Sequence, residues 1–541
     1  MIIERGIFVR ISKENIHSTT IRCKNNMQIT LDDDFNVPDY KDDIENIVKE
    51  WGNVRVDSVK ASGDRADVSG CMDFSLLYIG TGSNNSKERS RSIPVNMSGT
   101  MNFNESVNLT EDSDSAYVSC QAKIEDLTIK TINSRKISVK AIISITVVCE
   151  EINDASVGCE VEDEDNSQQI RVLNKNINYT QLAVNLHDNL RIRQNIAMPS
   201  SKPEIAEILW DDTEVRNLSS RLTDEGITIS GELGVFIMYV SKDEEAMPQW
   251  YETAAAFEGK LDINGCNGDM ISCVSYSVVG KNIEIKPDFD GENREVSVEL
   301  VLDLSVKAYE ECQKNIIADM YSPVKNVRLI TQPCCFKKLL MRNNSKCRAS
   351  ERVKLPDYVH MLQICNCTGT AQIDDVTVEE DGLQVDGAII ANVFYITADD
   401  NAPMGSIRAA VPFSNKIQLD MGDEVEYTLD VCIDQLTAAM TGSDEIEIKG
   451  CIALEAVVFE QYTEDVVEDC AVEEYDESEF LKFPGIIGYI ANGEDTVWDV
   501  AKRYHTTTES IRSSNSILAD RASDDARLKK GEKLLLVKAG R

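Results

Sequence analysis

Along most of the chain apolar and polar residues alternate with a period of two. Three long stretches carry that alternation with the same features in the same order. In the first, Val54-Arg55-Val56 leads through a turn at Gly63-Asp64 into the run 66–79. In the second, Gly226 leads into Ile227-Thr228-Ile229-Ser230-Gly231 and on to 236–240. In the third, Gly382 leads into Leu383-Gln384-Val385-Asp386-Gly387 and on to 393–396. Gly70, Gly231 and Gly387 are shared landmarks, and each stretch closes on a further alternating run, at 136–141, 295–300 and 445–450. Period-two runs with turn residues between them predict antiparallel sheets with one wet face. A glycine inside each long strand predicts a bulge or sharp bend at that point. The segments 44–48 and 205–209, and the region of Pro356, read as one short helix per repeat. The fold class expected is mainly β: three tandem antiparallel β-sandwich or open-barrel repeats over 1–152, 169–312 and 323–462.

The period changes near Gly488. Tyr489-Ile490-Ala491 reads as the end of a short strand and Asn492-Gly493 as its turn. Val497, Val500, Ala501 and Tyr504 then fall at i, i+3, i+4 and i+7, one face of a helix. Asp495 or Thr496 can cap it, and Asp499 follows Thr496 at capping-box spacing. A second short helix, capped by Thr507 or Thr508, carries Ile511 and ends near Asn515. Leu528 to Val537 supplies a turn and a closing strand, so 485–541 is expected to be a small β-α-α-β domain. Between it and the third repeat, 463–484 holds the acidic run 464–479. Like charges repel, so this segment reads as an extended solvated linker. The alternative is an electrostatic latch onto Lys529, Lys530 and Lys533, weakened by salt because exposed charges are screened beyond about 8 Å.

Charge sharpens this division. The chain of 541 residues has a formal charge of −38. Residues 488–541 hold ten Lys and Arg against eight Asp and Glu, leaving 45 against 85 in the rest, so an acidic body joins a mildly basic tip. Phosphate binding needs basic patches, so nucleic acid is not expected as a partner. No window approaches eighteen apolar residues, so no membrane span is expected. The start, Met1-Ile2-Ile3-Glu4-Arg5-Gly6, does not have the form of a signal peptide. The sixteen cysteines lack a dense disulfide spacing and read as reduced thiols of a cytoplasmic protein.

Candidate chemistry is sparse. Asp32, Asp34 and Asn36 alternate like the start of a calcium loop, but Val37 stands where a glycine is needed and Asp43 where a bidentate glutamate is needed. His360 with Cys365 and Cys367 lacks the second pair of a zinc site. There is no Gly-x-Ser-x-Gly, no His-Glu-x-x-His and no Gly-Lys-Ser/Thr phosphate loop. No catalytic residue, cofactor or metal is expected. The acidic side chains that could form a glycosidase pair read as surface.

The C-terminal stretch resembles a LysM module, on Gly493, Asp495, Thr496, Val497, Trp498, Ala501, Tyr504, Ile511, Asn515, Leu528, Gly531 and Leu534. The resemblance implies a shallow groove between two loops that takes N-acetylglucosamine polymers, peptidoglycan or chitin. Carried over, the binding residues are Asn492, Gly493, Glu494, Asp495, Thr496 and Trp498 on one side and Ser516, Ile517, Leu518 and Ala519 on the other. The run 516–527 is longer than usual and charged, which would block a sugar chain or create a protein-docking edge. Trp498 reads first as a core residue of a tiny domain. The repeats resemble the SPOCS domain, a spore-coat domain of unknown function, on Val37-Pro38-Asp39, the 205–209 segment after Pro203, the Gly-containing strands ending in Tyr78-Ile79, Tyr239-Val240 and Tyr395-Ile396, and Ser134-Arg135-Lys136-Ile137. Cys365-Asn366-Cys367 departs from that pattern in the third. Tandem SPOCS repeats followed by one LysM resemble the SipL-type spore-coat morphogenesis family. That resemblance implies a non-enzymatic adaptor in the mother-cell cytoplasm at the forespore surface, docked through its LysM module on the ATPase that polymerises into the coat basement layer. Binding of peptidoglycan glycan chains is the alternative.

Overall fold

A computed structural model of the chain describes residues 9–81, 93–110, 117–162, 168–242, 248–356, 359–399, 402–419, 425–442, 444–475, 484–518 and 527–538. Each repeat contributes six strands. The first has β1 (Arg10–Asn36), β2 (Ile44–Ser62), β3 (Arg65–Gly80), β4 (Ile93–Asn108), β5 (Tyr117–Asn133) and β6 (Lys136–Glu162). The second has β7 (Arg171–Ala197), β8 (Ile205–Thr223), β9 (Gly226–Ser241), β10 (Gln249–Asp262), β11 (Ile271–Pro287) and β12 (Asn293–Tyr321). The third has β13 (Lys325–Lys354), β14 (Met361–Glu379), β15 (Gly382–Thr397), β16 (Met404–Gln418), β17 (Val425–Met440) and β18 (Glu445–Glu474). Every repeat is a sandwich of two three-stranded antiparallel sheets, ordered β1-β6-β5 and β2-β3-β4 in the first and equivalently in the others. The alternation explains the burial: Ile137, Val139, Ala141, Ile143, Ile145 and Val147 are fully buried, and the residues between them are not.

The short helices expected at 44–48 and at 205–209 are not formed, because these segments open strands β2 and β8; Asp357 and Tyr358 of the region of Pro356 lie outside the described residues, and β14 begins at Met361. Each of these strands opens with two bulges at matching positions, between Ile44 and Asn46 and between Ile47 and Lys49 in the first repeat. The counterparts lie at Ile205/Glu207 and Ile208/Trp210, and at Met361/Gln363 and Ile364/Asn366. A bulge sets two residues against one. Two in succession space the inward positions by three and four, which imitates a helix.

The landmark glycines do not bulge either, because β3–β4, β9–β10 and β15–β16 pair without a register shift. The bulges lie opposite them, at Val56/Ser58, Arg216/Ser219 and Ile373/Asp375. Crowding is what requires glycine. A Cβ on Gly70 would sit 2.2 Å from the Arg55 carbonyl oxygen and 2.6 Å from the Phe103 ring, and one on Gly387 would meet Gln372 and Phe413 equally closely. At Gly231 the Phe257 ring approaches to 2.9 Å. At each landmark glycine, then, a phenylalanine of the neighbouring strand lies over the glycine, and Phe74 lies likewise over Gly99.

The outer strands β1, β6, β7, β12, β13 and β18 are 27 to 30 residues long, roughly 90–100 Å at about 3.3 Å per residue. They overrun the repeat boundaries expected from the sequence. β5 accompanies β6 only to Glu150, β11 accompanies β12 only to Tyr309, and β17 accompanies β18 only to Glu460. Beyond those points three two-stranded ribbons pack into a common stalk around Ile16, Val157, Ile177, Ile316, Phe336 and Val466. Each ribbon–ribbon interface carries a lysine–glutamate pair: Lys314–Glu14, Lys175–Glu464 and Lys13–Glu468, the last at 3.6 Å.

This placement corrects the linker reading of 463–484. Residues up to Glu474 belong to β18, paired along their length with β13, and Val466 and Val467 are buried. Glu464, Glu468 and Glu474 pair with Lys175, Lys13 and Lys325, so the described part of the run does not form the latch onto Lys529, Lys530 and Lys533. Residues 476–483 lie outside the described residues.

The three sandwiches also meet on one axis. Val48, Leu77 and Ile79 pack there against Leu209, Trp210, Phe236 and Met238 and against Cys365, Phe394 and Met404. Within this apolar cluster Lys49 Nζ lies 2.6 Å from Asp212 Oδ2, and Asn366 Nδ2 donates to the same oxygen at 2.9 Å. Lys49 and Asp212 are 2% and 8% exposed. Lys49, Trp210 and Asn366 follow the second bulge of their repeats, so one structural position carries three different side chains. At the far end of the stalk sits the last unit: β19 (Ile486–Ile490), α1 (Val497–Arg503), α2 (Thr508–Ser514), a 3₁₀ turn (Ser516–Leu518) and β20 (Lys533–Val537). Its order is the β-α-α-β expected.

Candidate functional site

Local chemistry fixes the C-terminal unit. Thr496 caps α1 by accepting from Asp499 N, while Asp499 Oδ2 accepts from Thr496 N at 2.9 Å, completing a capping box. Asp495 is buried, 2.8 Å from Arg503 and hydrogen bonded by Tyr489. The Arg503 guanidinium, then the Tyr489 hydroxyl, hold its carboxyl below the usual range, and burial, then that carboxylate, push Tyr489 up to about 12. Asn515 clasps β20 by donating to Leu535 O at 2.8 Å and accepting from Leu535 N at 2.7 Å. Thr506 donates to Val537 O. These bonds occupy the outer edge of β20.

The unit is seated on the stalk by its tryptophan. Trp498 is 4% exposed and meets Tyr321, the last residue of β12, edge to face at 4.8 Å. Its Nε1 donates to Asp319 at 2.8 Å, and Lys502 Nζ reaches the same carboxylate at 2.7 Å. Tyr321 Oη donates to Thr506 O at 3.0 Å, and Arg171 approaches Glu509 at 3.4 Å. His505 packs on Tyr475, its Nδ1 3.1 Å from the Tyr475 hydroxyl, which donates to Ser322 O. Burial, then Lys538, lowers the His505 pKa. Tyr321 is part of the unit's own hydrophobic cluster, with Val497, Val500, Ala501, Ile511 and Leu534.

The ten residues expected to line a groove therefore divide. Trp498 is committed to the stalk contact. Asp495, Thr496 and Leu518 are held inside the unit by an ion pair, a cap and full burial. Gly493 takes φ +96° beside Lys530. Asn492 is exposed, but its side-chain oxygen accepts from Glu494 N and Asp495 N. Glu494, Ser516 and Ile517 are exposed, Ile517 by 56%. Ala519 lies outside the described residues. What closes on the first loop is the approach to β20, where Leu528 N donates to Asp495 O and Gly531 N to Ala491 O.

Sequence reasoning missed Asp319 and Tyr321, which stand in a period-two strand indistinguishable from its neighbours. Elsewhere, Asp32 and Asp34 lie on β1 rather than in a loop, Asp34 pairing with Lys136 at 2.7 Å. Cys365 and Cys367 are buried, and burial pushes both up to about 12. Among the described residues no group of three or more His, Cys, Asp and Glu is placed to hold a metal ion, and no helix is long and apolar enough to cross a membrane.

Three sandwiches on a shared stalk, carrying a seated βααβ unit, define a three-repeat β protein with one terminal module. Residues 43–132, 204–286 and 360–441 match the family model described as SipL, SPOCS domain. These segments coincide with β2–β5, β8–β11 and β14–β17, so the chain carries three SipL-type SPOCS repeats, the repeats of a sporulation-related family. The long outer strands and the C-terminal unit lie outside the matched segments. No curated protein and no solved structure matches the chain.

Proposed function

We propose that the protein is a non-enzymatic scaffold of spore-coat assembly, working in the mother-cell cytoplasm at the forespore surface. The SPOCS repeats form its body. The C-terminal unit, of LysM type, docks on the ATPase that polymerises into the coat basement layer. The observation that carries this reading is the seat: the unit is anchored by Trp498, Lys502 and Tyr321 to a long stalk, which favours a fixed presenting platform. The same observation weighs against the glycan reading. Trp498 has given its ring to Tyr321, so the indole offers no free face on which a sugar could stack. The exposed rim, Glu494, Ser516 and Ile517, suits a protein contact.

The test is a titration of the intact chain against purified coat ATPase, beside sedimentation with purified peptidoglycan. Ile517→Asp and Glu494→Lys should weaken ATPase binding by about tenfold each, the scale of one interface contact worth about 1.4 kcal/mol. Retention on peptidoglycan with no affinity for the ATPase would replace the scaffold reading with the glycan one.

A further inference from the structure

Among the exposed apolar side chains, two groups stand at opposite ends of β12 and serve neither the sandwich cores nor the seat. One is Phe289, 102% exposed at the tip of the β11–β12 hairpin. This hairpin is built rather than loose. Asp288 Oδ1 accepts from Asp290 N at 2.9 Å and from Glu292 N at 3.0 Å, and Gly291 takes φ +81°. The other feature is the outer face of the β19–β20 sheet. There Ile486 and Val537 are paired across the strands, as are Gly488 with Leu535 and Ile490 with Lys533. Ile486, Ile490, Leu535 and Val537 are 67%, 64%, 46% and 36% exposed. At the centre of this face a Cβ on Gly488 would meet nothing within 4 Å, so the glycine leaves an open notch between two isoleucines.

We propose that the protein associates with itself head to tail, the Phe289 hairpin of one copy seating its ring over Gly488 of the next. Three observations support this occupant. The chain already covers a strand glycine with a phenylalanine ring at Gly70–Phe103, Gly99–Phe74, Gly231–Phe257 and Gly387–Phe413, a pairing known to stabilise sheets. Among the described residues, Phe289 and Gly488 each lack such a partner. The charges are complementary: Asp288, Asp290 and Glu292 surround the ring (Glu292 also pairs with Arg294), whereas Lys533 lies on the sheet face, with Lys529 and Lys530 in the turn before it. The two features also lie at opposite ends of β12, whose 29 residues run from the hairpin to the seat, about 95 Å. One copy therefore cannot satisfy both ends. A contact between two different patches at opposite ends does not close on itself and generates open chains.

The experiment is sedimentation velocity of the intact chain over a concentration series, at low and high salt. Average mass should rise continuously beyond the dimer and fall with added salt. Phe289→Ala and Ile490→Asp, both at exposed positions and checked for native circular dichroism, should each raise the concentration needed for association about tenfold or more. An equimolar mixture of the two variants retains one competent contact and should stop at dimers. A chain that stays monomeric throughout, a wild type that stops at dimers, or growth unaffected by Phe289→Ala would overturn the proposal.

Discussion

Replacing Lys49 with methionine tests the packing of the three sandwiches at its most exacting point. The side chain keeps its length and loses its charge, leaving Asp212 buried among Trp210, Phe394 and Cys365 with Asn366 as its remaining partner at 2.9 Å. At 2.6 Å and an effective dielectric constant of about 20, the lost attraction is of order 6 kcal/mol. Most of this offsets the cost of removing both ions from water. Taking away one partner exposes that desolvation cost, and such changes destabilise by about 3–5 kcal/mol. The contact of Lys49 Nζ with the Trp210 ring, 5.2 Å from its centroid, adds about 0.5–2 kcal/mol. The double replacement Lys49→Met/Asp212→Leu removes both charges and should recover most of the loss. Urea unfolding followed by tryptophan fluorescence reads this, since Trp210 lies in the cluster. A midpoint unmoved by Lys49→Met would refute the reasoning, as would a double variant that loses as much as the sum of the singles.

Gly387→Val should be severely destabilising in a thermal melt, by more than the roughly 1–3 kcal/mol of ordinary overpacking, because its Cβ would meet the Gln372 carbonyl at 2.2 Å. The lowered pKa of His505 gives the seat a pH dependence. A histidine whose folded value lies below its unfolded value of 6.5 contributes stability above that value and loses it as pH falls. Amide protection factors in α2, taken relative to the intrinsic exchange rate at each pH, should therefore fall between pH 7.5 and 5.5, and His505→Gln should flatten that dependence. Lys314→Glu, which sets a like charge against Glu14 on the stalk surface, should cost only about 1 kcal/mol at low salt and less at high salt.

The sheets, the three repeats and the βααβ order were legible because each is written locally, in period two, in recurring glycines and in the cap at Thr496. What was not legible depends on pairing across the chain. Double bulges displaced Ile44, Ile47 and Val48 into a helical spacing while they remained in a strand. The acidic run 464–474 reads as a repelling coil until Lys175, Lys13 and Lys325 are brought beside it from elsewhere in the chain. Trp498 carried a correct expectation of burial, but its partner could not be named. Asp319 lies 179 residues away and differs in no local respect from the other acids of β12.

The proposed platform requires the C-terminal unit to be held against the stalk, and hydrogen exchange on the intact chain measures this directly. Asp319→Ala removes the acceptor of Trp498 and Lys502 without touching the unit's own core, at a cost of about 1.5 kcal/mol for the part-buried charge-assisted bond. Protection in α1 and in residues 319–322 should fall together, by tenfold or more, while the sandwich strands keep theirs. If α1 exchanges at the same rate with and without Asp319, the unit is not seated by this contact and the fixed-platform reading fails.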